Sequence, residues 1–344
     1  MESEHIYFNA LSVDLRGNYS ALKKLLESFN NWQTAFKNTP TKINPEKEWL
    51  RLEKLGIKLL LATDPNFPKS LKEIPWPPFA IYHQGQLPNE DLPRLAIVGT
   101  RKSSTLSRTW SEMFSKKLSQ SGVQIISGLA LGVDTSAHEG CLAGPSPTFA
   151  VLALGLDNVY PSQNHRLAKK IVSNAGGIIS EYPPTVGAQK HFFIQRNRLV
   201  SGLSQGVLVI EAPERSGSLA TARFAEEQNK ELFVLPGPVN NANFKGSNKL
   251  IQDGAFLTTS PDEILEVLGV KKESNSSIDK EPRFDKLSKT QKIIISALKN
   301  ESHPLHVDEL QKITKLETST LLEEITELGL AGIIQEEAGR YYIK

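Results

Sequence analysis

The chain has 344 residues, with 40 Lys and Arg set against 38 Asp and Glu for a net charge of +2. At about 100–200 residues per domain this length allows two or three domains, and a 39% hydrophobic, 23% charged composition is that of a soluble globular chain. The near-balance of charge excludes a polybasic coat protein and an acidic solvating tail but leaves room for a local basic groove, and the single cysteine, Cys141, excludes a disulfide scaffold, a multi-cysteine zinc site and an iron–sulfur cluster.

A lone thiol fits a reducing compartment. The start, Met1-Glu2-Ser3-Glu4-His5, lacks the basic-then-apolar order of a signal peptide. Apolar runs such as 149–156 fall well short of the roughly 20 residues that span a bilayer. The expectation is a cytoplasmic protein with no membrane segment.

Residues 1–75 read as a small helical, SAM- or helix-hairpin-like domain. Leu22, Leu25, Leu26 and Phe29 recur at helical spacing, and Trp49, Leu52 and Leu55 fall on one side of a second helix over 46–55. Pro65, Pro68, Pro75, Pro77 and Pro78 then forbid a continuous helix and predict an extended connector.

From about residue 93 the pattern changes. Short apolar runs start at Leu95, Val123, Phe149, Gly177, Val207 and Leu232, 25–30 residues apart. Each gap holds room for a helix, and runs without alternation suit strands covered on both faces. Residues 76–270 therefore read as an α/β, extended Rossmann-like domain with a parallel sheet. Residues 271–286, centred on Ser274, Asn275, Ser276 and Ser277, read as a polar linker.

Residues 287–344 read as three helices and a two-stranded hairpin turning at Ala338-Gly339, the order of a winged-helix domain. This stretch holds seven basic and nine acidic residues. Its third helix carries Glu323, Glu324 and Glu327 and no Lys or Arg, so a docking module or a solvated face fits better than a reader of duplex DNA.

Three strand ends carry suggestive loops: Val98-Gly99-Thr100-Arg101, Ser127 to Asp134, and Glu211 followed by Ser216-Gly217-Ser218. Ligands of doubly wound sheets bind beyond the carboxyl ends of strands, where glycine and helix N-termini let amides approach an anion. None of the loops is a dinucleotide or P-loop fingerprint, and tight strand-to-helix turns explain the same glycines.

His191 to Arg198 interleaves aromatic and basic side chains, as single-strand binders do. It equally fits a core helix whose arginines pair with acids. Gly202-Leu203-Ser204-Gln205-Gly206 imitates a nucleophile elbow but precedes a strand instead of following one. Asp134 and His138 read as a helix cap and a hydrogen-bonded histidine, and Cys141 as a small core residue.

Taken in order, these pieces resemble the DNA-processing protein A (DprA/Smf) family. The resemblance covers most of 64–258. It runs through Asp64-Pro65-Asn66-Phe67-Pro68, the first two loops, Tyr160-Pro161 with Asn164, and above all Arg196-Asn197-Arg198-Leu199-Val200-Ser201-Gly202. Beyond these come Ser216-Gly217-Ser218 with Thr221, and Gly246-Ser247-Asn248.

The resemblance implies a dimer that binds single-stranded DNA without sequence preference and hands it to the RecA recombinase in natural transformation, with no catalytic activity and no cofactor. It implies that Arg101, Ser127 and Gly128 contact phosphates and that Asn164, Arg196, Asn197 and Arg198 line the pocket, with Arg166 close behind Ser162. Ser216, Gly217, Ser218 and Thr221 would close the pocket, with Gly246 and Asn248 at its rim. Phe192 or Phe193 is expected to stack a base.

Two departures, Ser162 and Leu131 where relatives carry basic residues, shift weight to cations such as Lys102 or Lys245. The rival reading is a nucleotide-binding or nucleoside monophosphate-cleaving enzyme with Glu211 as its acid. A third is a scaffold working through the winged helix.

Overall fold

The computed structural model describes residues 2–270, 287–301, 303–330, 333–337 and 339–343. The linker expected over 271–286 lies outside the described residues. The chain divides into two units, Met1–Lys272 and Glu273–Lys344.

The first unit opens with α1 (Glu2–Asp14), α2 (Tyr19–Phe29), α3 (Trp32–Asn38) and α4 (Pro45–Leu55). Asparagines set the starts of the last three: Asn18, Asn31 and Asn44 each accept the N–H three residues on, at 3.1, 2.8 and 2.9 Å. Helix α1 has no polar stripe for periodicity to reveal, and its Phe8, Ala10 and Leu11 are all buried. From α1, Glu4 takes the Trp32 and Gln33 amides at the head of α3.

Next come β1 (Lys58–Leu61), the short α5 (Lys69–Lys72) and β2 (Ala80–Gly85). The remaining elements alternate: β3 (Arg94–Val98), α6 (Thr105–Gln120), β4 (Gln124–Ser127), α7 (Val133–Leu142), β5 (Thr148–Leu152), α8 (His165–Ser173), β6 (Gly177–Ser180), α9 (Lys190–Gly202), β7 (Gly206–Val209), α10 (Gly217–Glu227), β8 (Glu231–Val234), α11 (Lys245–Gln252), β9 (Phe256–Leu257) and α12 (Pro261–Val267).

The sheet runs β1-β2-β6-β5-β4-β3-β7-β8-β9. Strands β3 to β9 pair in parallel, as the apolar runs predict, whereas β1 and β2 pair antiparallel along the β6 edge. The expected boundary at residue 75 is therefore corrected. The proline-rich segment leads from the edge strand β1 to its neighbour β2, and Phe8, Leu11 and Trp32 share an apolar cluster with Ala150, Leu152 and Ile178 of the sheet. Helices that bury their apolar faces on the sheet cannot form a separate core.

Helices α6 and α7 are joined by a ladder of hydroxyls. Ser111, Ser115 and Ser119, one turn apart, donate to the carbonyls of Val133, Ala137 and Cys141, also one turn apart. The backbones approach so closely that a Cβ at Gly140 would stand 2.2 Å from the Glu112 carbonyl oxygen. This contact fixes α7, and with it the loop that precedes it.

The second unit has α13 (Lys289–Asn300), β10 (Leu305–His306), α14 (Val307–Thr314), α15 (Thr318–Leu330), β11 (Ile334–Glu337) and β12 (Arg340–Ile343), with sheet order β10-β12-β11. This is a winged helix around its own core of Ile294, Leu298, Leu310, Leu321, Ile325 and Leu328. Among the described residues no helix is long and apolar enough to cross a membrane.

Candidate functional site

The chain leaves β3 toward β4 on one side and meets β7 on the other, so the strand order reverses between β3 and β7. Such a switch point opens a crevice at the carboxyl ends of the strands. A cavity of about 270 Å³ sits there, walled by the loop after β3, the loop before α7, one face of α9 and the head of α10.

Its rim is cationic and aromatic. The Arg101 guanidinium lies 4.5 Å from the Phe193 ring centroid, and Tyr160 packs against the same ring at 5.7 Å. Tyr160 and Ile194 are about half exposed. Lys102 and Arg215, both exposed, border the same opening. At the head of α10, Ser216 caps the helix by accepting the Ser218 N–H at 3.3 Å. A Cβ on Gly217 would meet nothing within 4 Å, so this helix start is open. No acidic residue lies in its first turn, which leaves the positive end of the helix dipole uncompensated.

The floor is different. Asp134 is buried and its Oδ2 accepts the Gly128 and Ala130 amides at 3.0 and 3.3 Å. Leu129, between them, adopts a left-handed φ of 59°, a conformation costly for a side chain with a Cβ. Arg196, also buried, donates to the carbonyls of Gly128 and Val151 and to Asn197 Oδ1. Burial pushes the Asp134 carboxyl up, against the pull of Arg196 and the two amides. Burial likewise brings Arg196 down to about 10, still cationic at neutral pH.

Of the residues expected at this site, Arg101, Gly128, Arg196, Asn197, Ser216, Gly217, Ser218 and Thr221 line the cavity. Asn197 Nδ2 also donates to the Gly217 carbonyl at 3.0 Å, tying α9 to α10. The other expectations are corrected. Arg198 points away from the cavity: it is 1% exposed, bonds Glu181 at 2.6 Å and lies 4.5 Å over Trp76. Helical geometry explains this, because Arg196 and Arg198 are about 200° apart around α9.

Ser127 is buried and donates to the Ile97 carbonyl. Asn164 braces the second loop from behind through Leu129 O and Thr135 Oγ1 at 2.8 and 2.9 Å. Gly246 lets α11 approach the Ala212 and Pro213 carbonyls, and Asn248 holds both polar groups of Gly237. Arg166 is exposed on α8, outside the lining. Phe192 is core, 4.1 Å from Tyr182, and only Phe193 reaches the rim. Arg215 was missed; its signal is a cation directly before a Ser-Gly-Ser helix start.

Of the decoys, Asp134 is corrected: it is no helix cap but lies inside α7, whose N-cap Gly132 makes no side-chain bond, and its carboxylate takes amides of the preceding loop. Ser204, His138 and Cys141 resolve as read. Ser204 is buried and donates to the Val200 carbonyl. His138 Nδ1 lies 2.7 Å from Thr148 Oγ1, whose own proton goes to the Ile125 carbonyl, so Nδ1 carries the hydrogen and Nε2 is left buried without a partner. Burial lowers this imidazole to about 3 and raises the Cys141 thiol to about 11. Glu211 is fully buried; its Oε2 takes the Ser104 N–H and hydroxyl, fixing the start of α6, and it does not line the cavity. Among the described residues no group of three or more His, Cys, Asp or Glu could hold a metal ion.

Residues 58–269 match the family model described as DNA recombination-mediator protein A, and residues 279–340 match the DprA winged helix domain. The chain belongs to this family, DprA/Smf. It is 33% identical over 319 residues to protein Smf of Synechocystis, covering 83% of this chain and 79% of that protein. It is 42% identical over 217 residues to protein Smf of Escherichia coli, a match that spans 63% of this chain and 58% of that protein's length.

Among solved structures, DNA processing protein A from Streptococcus pneumoniae superposes with a TM-score of 0.64 at 31% identity, covering 76% of this chain and 97% of that one. DNA processing protein A from Helicobacter pylori, described for its single-stranded DNA binding mode, gives a TM-score of 0.55 at 33% identity, covering 62% and 95%. The family's shared stretch contains every element that builds the cavity.

Proposed function

We propose that this chain binds single-stranded DNA without sequence preference at the β3–β7 cavity and loads the RecA recombinase onto it in natural transformation. It does so in the cytoplasm as a homodimer and without catalysing a reaction. The observation that carries the reading is the Arg101 guanidinium stacked on Phe193 beside Tyr160. A phosphate-seeking cation and aromatic faces share one opening, which is what an unpaired polynucleotide needs and a duplex cannot use. Lys102, Arg215 and the open head of α10 extend the positive rim. The Helicobacter relative's described binding of single strands supports the same assignment.

The cleavage alternative is disfavoured because its candidate acid, Glu211, is held by Ser104 behind the wall. For the dimer, the sheet ends in β9, whose Phe256 and Leu257 are 45% and 47% exposed. An apolar edge strand is otherwise an aggregation liability.

The test is a salt-titrated binding isotherm with a short oligothymidylate. Log affinity falls against log salt with a slope of roughly −0.7 per phosphate neutralised. Arg101→Ala lowers both affinity and slope; an unchanged isotherm removes this site. Recombinase loading is read from RecA ATPase activity on strands coated with single-strand-binding protein, which the wild type stimulates and Arg101→Ala does not.

A further inference from the structure

The cavity holds a carboxylate where a phosphate-binding loop would hold its ligand. The loop from Ser127 to Asp134 has the glycines and the left-handed turn of an anion cradle, yet its Gly128 and Ala130 amides both converge on Asp134 Oδ2. Asp134 is the one acid in the lining, beside Arg101, Lys102, Arg196 and Arg215, among the described residues. Arg196 directs its donors to the Gly128 and Val151 carbonyls and to Asn197, so its charge offsets Asp134 while offering few bonds to a ligand. The two loop amides and the Nε and Nη1 donors of Arg196 are thus already taken, only Nη2 of that guanidinium is left for a ligand, and the paired charges keep the floor close to neutral. The uncompensated positive charge sits on the rim, at exposed Arg101, Lys102 and Arg215.

From this arrangement we infer that Asp134 is a specificity-determining residue that excludes terminal phosphate monoesters from the floor, reserving the cavity for the internal phosphodiesters of a strand. The inference rests on the single-strand reading of the cavity. A monoester carries up to two negative charges near neutral pH and a diester carries one. A strand's phosphates stop at the rim, where cations and the head of α10 face them, and the uncharged base is free to enter. A free nucleotide must either leave its dianion in water or bring it against a buried carboxylate whose amide donors are already taken. Repulsion of one extra charge over several ångströms at intermediate dielectric corresponds to about tenfold or more in affinity.

The experiment uses the full chain, wild type and Asp134→Asn. Asn keeps the shape, and its one oxygen can still accept both loop amides. Thymidine monophosphate and the single-phosphodiester dinucleotide TpT are titrated calorimetrically at pH 8. The expected result is that Asp134→Asn tightens the monophosphate about tenfold more than it tightens TpT. Equal changes for the two ligands overturn the inference.

Should the variant fail to fold, the wild type is titrated with TpT and with its 5′-phosphorylated form. Equal affinities support exclusion of the monoester, and a tenfold gain from the added phosphate overturns it. Failure of the single-strand reading registers separately, as absence of binding to a 20-residue oligothymidylate at low salt. The monophosphate gain in Asp134→Asn is read independently of that outcome.

Discussion

Two turns that wall the same cavity, the loop from Gly128 to Asp134 on its floor and the head of α10 at Ser216-Gly217-Ser218 on its rim, look alike in sequence, each offering glycine beside small side chains at a helix start. In space they are opposites. The first is closed on itself by Asp134, and a Cβ at Gly128 would come 2.5 Å from the Arg196 guanidinium. The second is open, with nothing near Gly217. The arginines divide in the same way: Arg101 and Arg215 face solvent, while Arg196 and Arg198 are 5% and 1% exposed. A glycine or an arginine near a strand end therefore says that an anion could be held there. Whether a neighbouring group of the protein already holds the place is a separate matter.

The strongest way to break this division is to treat Arg198 as a binding residue. Removing one partner of a buried, hydrogen-bonded pair strands the other charge and costs about 3–5 kcal/mol. Arg198→Ala, which leaves Glu181 alone and removes the cation from Trp76, is therefore expected to lower the thermal midpoint by many degrees. The folded fraction should bind oligothymidylate as the wild type does. Arg215→Ala is expected to do the converse, with stability within about 0.5 kcal/mol and a weakened salt-dependent isotherm. A stable Arg198→Ala protein that has lost DNA binding would erase the distinction.

The sequence carried the architecture further than the site. The six apolar runs became β3 to β8 because strands covered on both faces need no polar alternation. The same logic hid the edge strands β1 and β9 and the antiparallel β2 beside β1, all of two to six residues. Helix α1 was invisible because it is buried on several sides, and nothing in the periodicity of α6 shows that the hydroxyls of Ser111, Ser115 and Ser119 are buried against α7 carbonyls. At the site, periodicity could have separated Arg196 from Arg198, since residues two apart on a helix face different ways. Nothing local could reveal that Asp134 turns back onto Gly128, because that depends on the handedness of one backbone torsion at Leu129.

A second prediction concerns the buried imidazole of α7 and acid. His138 is held neutral, titrating at about 3 in the folded chain against an ordinary 6.5. A folded value below the unfolded one means the unfolded chain takes up the proton first. Stability is then complete above about pH 6.5 and falls as pH drops toward 3, by about 1 kcal/mol per pH unit from this group. His138→Asn keeps a donor for Thr148 and removes the titration. Between pH 7.5 and 4.5 its thermal midpoint should fall less than that of the wild type; parallel declines would show that the imidazole is not the group responsible.

The smallest effect on stability should come from the open turn, and it separates binding from folding most cleanly. Gly217→Glu places a carboxylate at the first position of α10, where a negative charge favours the helix dipole by about 0.3–1 kcal/mol. With nothing within 4 Å to clash, the melting midpoint should hold or rise slightly. The same charge stands where a strand phosphate would approach, so oligothymidylate affinity should drop severalfold and the salt slope should shrink. Gly128→Ala, by contrast, forces its Cβ onto Arg196 and should lose about 1–3 kcal/mol of stability through overpacking. Opposite signs in the melting curves of these two glycine variants are what a closed and an open turn require. Equal losses in both would mean that the head of α10 is packed and hydrogen-bonded internally to the same degree as the loop before α7, and that the rim has no free helix end to offer.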